Sequence, residues 1–160
     1  MTVTGVILRV LTAVALGVDA VVHARLAPGY QSAAPDGIGE GILFLAEAAA
    51  AAAVGLYVLI RGSRPSWGLA LVTAGGGLVV LLLYRYIDIP AFGPSPTMYE
   101  PVWFFEKNLT ALAETVALLV ATTALTLSRR ARGDQTYSRR KRLRAAGTAA
   151  AETHTASRPD

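Results

Sequence analysis

Asp19 and His23 stand four residues apart in an otherwise apolar stretch, so they share one face of a helix. A carboxyl beside an imidazole can exchange a proton or hold a polar ligand. Trp103, Lys107, Thr110 and Glu114 recur at i, i+4, i+7 and i+11, which makes a single stripe down another helix, with Glu106 and Asn108 flanking it. Glu40, Phe44 and Glu47 share a third face, and Tyr84 and Asp88 a fourth. The candidate pocket is therefore Asp19, His23, Glu47, Tyr84, Asp88, Trp103, Glu106, Lys107, Asn108 and Glu114. None of these has a spacing that names a reaction, so no residue is assigned as catalytic. There is no Gly-x-Ser-x-Gly, His-Glu-x-x-His or Walker sequence, and Gly75, Gly76 and Gly77 lie inside an apolar run rather than in a phosphate-cradling loop. With no cysteine and only two histidines, His23 and His154, the chain has no thiol chemistry and cannot supply a bis-histidine haem from its apolar part or a His-rich metal site. No metal ligand set and no cofactor is identified from the residues.

The elements that carry these groups are long and greasy. The chain is 53% hydrophobic and only 16% charged, against roughly a quarter charged in ordinary soluble domains. Four apolar windows, about 3–23, 41–60, 67–86 and 102–128, approach or exceed the ~20 residues that cross ~30 Å of hydrocarbon. The runs are continuous rather than alternating, which disfavours a β-barrel. The expected fold is all-α: a polytopic membrane protein, a four-helix transmembrane bundle of up-down topology over residues 1–128. The first run lacks a basic n-region and is interrupted by Arg9 and Asp19, so it reads as a retained helix rather than a cleaved leader. Residues 24–38 and 87–101 read as the longer loops.

Charge sets the expected orientation. Residues 129–160 hold nine Lys/Arg and three Asp/Glu, and "SRRARGDQTYSRRKRLR" directly follows the last apolar window. Such a block stays cytoplasmic, and an even number of crossings places the N-terminus on the same side. Arg129, Arg130, Arg132, Arg139, Arg140, Lys141, Arg142 and Arg144 are expected to contact anionic lipid headgroups. No base-reading aromatic accompanies them, so nucleic acid is not an expected partner. Beyond Arg144 the chain is small, polar and aperiodic, and 129–160 is expected to be a largely disordered tail.

Two readings of the polar residues stay open. Carboxylates have short stems and cannot snorkel far, so an acid at the depth of Glu47 or Glu114 must be protonated or paired. Lys107, Arg9 or Tyr84 are candidate partners for Glu114, and His23 or Lys107 for Glu47. In one reading such pairs fix helix packing. In the other they line a pocket that opens towards the outer face. The stretch "YRYIDIPAFGPSPTMYEPVWFFEKN", 84–108, supplies the aromatics and prolines of the loop over that face, and an interfacial aromatic belt accounts for part of them.

The body of the chain resembles the DoxX-like membrane proteins. "LRVLTAVALGVDAVVHARLAP" looks like that family's first helix, "LFLAEAAAAAAVGLYVLIRGSRPSWGLALVTA" like its second hairpin, and "KNLTALAETVALLV" like its final helix. The likeness spans about 4–125. It implies a four-helix protein of the bacterial inner membrane, with Arg9 and Glu47 carried over by position. It also implies a link to quinone or to a membrane oxidoreductase. The chain is therefore expected to be an accessory subunit or a bundle that binds a hydrophobic ligand, a quinone or lipid, which suits a polar pocket among apolar helices; membrane lipids, a membrane oxidoreductase subunit or a second copy are the expected partners. A membrane enzyme working through the buried carboxylates and His23, or a purely structural membrane partner, remain the alternatives. The long Pro/aromatic loop and the basic tail are departures from the family's pattern.

Overall fold

A computed structural model describes the backbone of residues 2–32, 39–90 and 99–156, and, beyond Arg130, the side chains of Thr136 and Tyr137 only. The chain is all-helical, with α1 (Val3–Ser32), α2 (Glu40–Arg61), α3 (Arg64–Tyr86) and α4 (Phe105–Ala156). All four contain stretches long and apolar enough to cross a membrane, in α4 the part from Phe105 to Arg130.

The bundle, residues 1–125, closes on small side chains. α2 turns Gly41, Ala48, Ala51, Gly55 and Val58 inward, a seam that lets helix backbones approach closely. At one end of it a Cβ on Gly41 would meet the carbonyl oxygen of Ala27 and come within 2.8 Å of the Gln31 nitrogen, so α1 and α2 cross there at backbone contact. Ala70 and Ala74 of α3 and Ala117 and Ala121 of α4 are fully buried in the same core. The large apolar residues point the other way: Ile7, Val14, Leu45, Leu59, Val72 and Leu119 are all exposed. An interior of alanine under a surface of leucine and valine suits an apolar solvent, which stabilises the outward residues without needing them in the core.

The turn between α2 and α3 is written in "RGSRPSW". Gly62 ends α2 at φ 51°, where its N–H donates to the Val58 carbonyl at 2.9 Å; only glycine enters that region without strain. Its added Cβ would also strike the Arg9 guanidinium, so Arg9 is seated at this end of the bundle. The Ser63 N–H donates to Ser66 Oγ at 2.9 Å, Ser66 Oγ donates back to the Ser63 carbonyl at 2.7 Å, and Trp67 Nε1 donates to the Gly62 carbonyl at 3.1 Å. At the opposite end, Tyr30 of α1, Phe44 of α2, Tyr84 of α3 and Lys107 of α4 come together. Successive helices therefore run up and down.

Two boundaries depart from the sequence reading. α1 continues through Pro28 to Ser32, into what was expected to be loop, because the preceding turns already fix the backbone and Pro removes only one donor. Trp103 falls before the first turn of α4, which begins at Phe105. In the last unit, which starts at Thr126, α4 runs on as far as Ala156, through a stretch rich in alanine and arginine, both strong helix formers. Most of the long loop, 91–98, lies outside the described residues.

Candidate functional site

A cavity of about 670 Å³ opens among the four helices at the Tyr84 end. Its walls are mostly apolar, from residues such as Leu43, Phe44, Val80 and Phe104, with a few polar groups set among them. His23, Glu47, Tyr84 and Lys107, all expected in the pocket, do line it. Asp19 and Glu114 are fully buried beside it. The stripe on α4 faces inward as its spacing predicts, with Lys107, Thr110 and Glu114 all buried.

The remaining four expected residues do not reach the cavity. Asp88, Trp103, Glu106 and Asn108 are exposed. Glu106 and Asn108 each sit one residue off Lys107, and a helix turns about 100° per residue, which carries them off the inward face. Asn108 Nδ2 donates instead to the Phe104 carbonyl at 3.0 Å. Trp103 stacks near the Arg85 guanidinium, 5.8 Å from the ring centroid. Among the expected headgroup contacts, Arg129 and Arg130 are exposed. The side chains of Arg132, Arg139, Arg140, Lys141, Arg142 and Arg144 lie outside the described residues.

The deep acids find different neighbours from those expected. His23 Nδ1 lies 3.0 Å from Asp19 Oδ1, an ion-pair distance without hydrogen-bond geometry, and 3.1 Å from the Asp19 carbonyl oxygen. Donor atoms of Asp19, His23 and Glu114 all fall within 4.8 Å of one another. Glu47 approaches from α2: a Cβ built on Gly77 would strike Glu114 Oε1 and come within 3.4 Å of Glu47 Oε1. Gly77 is thus the wall that leaves room for both carboxylates. Two ionised carboxylates 4.8 Å apart, the outer separation within the Asp19–His23–Glu114 group, repel by about 3.5 kcal/mol at an effective dielectric near 20, which favours a proton or cation among them.

Lys107 does not neutralise this cluster. Its Nζ donates to the Glu100 carbonyl at 2.7 Å and lies 3.3 Å from Glu100 Oε2. Nor does Arg9, which sits at the Gly62 end. Glu100 is the residue that the sequence reading missed. It accepts the Tyr30 hydroxyl proton, at 2.6 and 2.7 Å from its two oxygens, and its N–H donates to the Tyr84 carbonyl at 3.1 Å. One residue of the connecting segment, through its carboxylate and its backbone, so ties α1, α3 and α4 over the cavity mouth. Tyr30 and Glu100 are seventy positions apart, and no periodicity links them.

Replacing Glu100 by leucine leaves the buried Lys107 ammonium facing carbonyls alone and the Tyr30 hydroxyl without its acceptor. We expect a loss of about 1–3 kcal/mol, the usual cost of stranding a buried polar group. A lowered thermal midpoint in detergent, with faster amide exchange over 99–104, checks this; Tyr30→Phe should show a smaller loss.

No protein-family model, curated protein or solved structure matches the chain.

Proposed function

We propose that this chain is a small multi-pass protein of the bacterial inner membrane, of the DoxX-like kind, whose cavity holds a hydrophobic molecule with a polar head, a quinone or a lipid. The observation that carries this reading is the cavity: some 670 Å³, mostly apolar, with His23, Glu47, Tyr84 and Lys107 converging on it. Apolar walls with a few placed polar groups are what ligand sites of this size have in common. An apolar tail would lie along Leu43 and Val80, and a carbonyl or hydroxyl head would meet the polar groups. The basic residues at positions 129–144 and the Arg61–Arg64 turn favour a cytoplasmic Gly62 end and an outward-facing mouth. The bundle would serve as an accessory subunit that presents or shelters such a molecule.

The test is purification in mild detergent, identification of co-purified lipid-soluble molecules by mass spectrometry, and titration with a short-chain quinone followed by tryptophan fluorescence. Gly76 lines the cavity, and a Cβ there meets nothing within 4 Å. Gly76→Leu therefore fills the space without a clash. It should weaken ligand binding by about tenfold or more, some 1.4 kcal/mol, while leaving the fold intact. A parent chain that carries no such molecule and gives no saturable titration would sink the reading.

The Asp19–His23 contact at 3.0 Å favours a second reading, a membrane enzyme with that pair as acid and base. The two separate cleanly: under the second, a bound lipid-soluble molecule is turned over, and Asp19→Asn abolishes turnover without abolishing binding.

A further inference from the structure

Asp19 and Glu114 have no role in lining the cavity. Both are fully buried, and all four of their carboxylate oxygens lack a hydrogen-bond partner among the described residues. Unpartnered buried carboxylates are costly, and here they point at one another and at an imidazole.

From that juxtaposition we propose that Asp19, His23 and Glu114 bind one divalent first-row transition-metal ion, with its open coordination position facing the cavity beside Glu47. One imidazole and two carboxylates make a mixed nitrogen–oxygen donor set of the kind that zinc, iron, manganese and cobalt accept. Magnesium is a poor fit, since it prefers oxygen alone and keeps several waters. The charges also balance. Two carboxylates, a neutral imidazole and a dication sum to zero, the arrangement that a low-dielectric interior tolerates best. The three cations nearest in expectation are placed otherwise: Lys107 is engaged with Glu100, Arg9 is seated against Gly62, and Arg85 lies over Tyr86 and Trp103.

The geometry needs a modest adjustment. The donor atoms stand within 4.8 Å of one another, whereas ligands around tetrahedral zinc stand roughly 3.4 Å apart at bonds of ~2.1 Å. Binding requires that rotation about the side-chain torsions of Asp19 and Glu114 close that gap. α1 supplies two donors one helical turn apart, and α4 supplies the third across the core. His23 and Glu47 both line the cavity, so a water or the oxygen of a bound molecule can complete the shell from that side.

The experiment uses the full chain in detergent, stripped with a chelator and titrated separately with Zn²⁺ and Co²⁺. The expected result is one ion per chain, a visible Co²⁺ absorption band characteristic of nitrogen–oxygen ligation, and a raised thermal midpoint. Asp19→Asn, Glu114→Gln and His23→Gln should each weaken binding by about 100-fold or more, since even the outer partners of metal ligands are worth 10–100-fold. His154→Ala should bind as the parent does. A parent chain that takes up neither ion overturns the proposal without recourse to any variant. So does binding that survives all three ligand substitutions, which would place the ion elsewhere. Both readouts are independent of whether a quinone or lipid binds, so failure of the cavity reading leaves this test standing.

Discussion

Gly77→Leu should abolish metal uptake and lower the stability of the bundle by about 2–3 kcal/mol, in the range of other overpacked cores. The neighbouring Gly76→Leu should do neither. The contrast follows from a single residue step, about 100° around the helix. A Cβ at position 77 strikes the Glu114 carboxylate and crowds Glu47, whereas at 76 it enters open cavity. Glu114 is fully buried, so its carboxylate cannot retreat into solvent, and Asp19 and His23 already stand within 4.8 Å of it. Leucine is a better helix former than glycine by somewhat under about 1 kcal/mol, so the loss at 77 appears against a small gain that both variants share. Thermal unfolding in detergent and Co²⁺ absorption read the two effects separately. If both variants kept the ion, Gly77 would not be the wall of the carboxylate cluster.

Gly41→Leu should be the most damaging single change to the fold, at about 3 kcal/mol or more. What its Cβ meets is not the tip of a flexible side chain but the Ala27 carbonyl and the Gln31 backbone of α1. Neither can move aside alone, so the ends of α1 and α2 must separate. His23 and Tyr30 on α1 and Phe44 on α2 are in ring contact across this same end. The variant should therefore lose cavity binding together with stability. A midpoint shift with unchanged quinone binding would show that the crossing and the cavity are independent. Ala48→Leu, buried on the same seam at a position that already carries a Cβ, is the useful comparison for ordinary overpacking.

Asp19 with His23, and Lys107 with Thr110 and Glu114, were legible in the sequence because both sets lie within one helix. A period of 3.6 residues fixes which side chains share a face, whatever the helix packs against. The four long apolar runs were legible for a similarly local reason. The sequence also showed that acids at the depth of Glu47 and Glu114 need compensation, since hydrocarbon offers none. Only the tertiary structure decided what compensates them. Lys107 turns to Glu100, Arg9 stays at the far end, and Glu114 meets Asp19 and His23 across the core. Those meetings depend on helix rotation and register, which are set by where Gly41, Gly77 and the buried alanines permit close approach. Contact between helices is a property of their facing surfaces together, and no spacing within one chain segment encodes it.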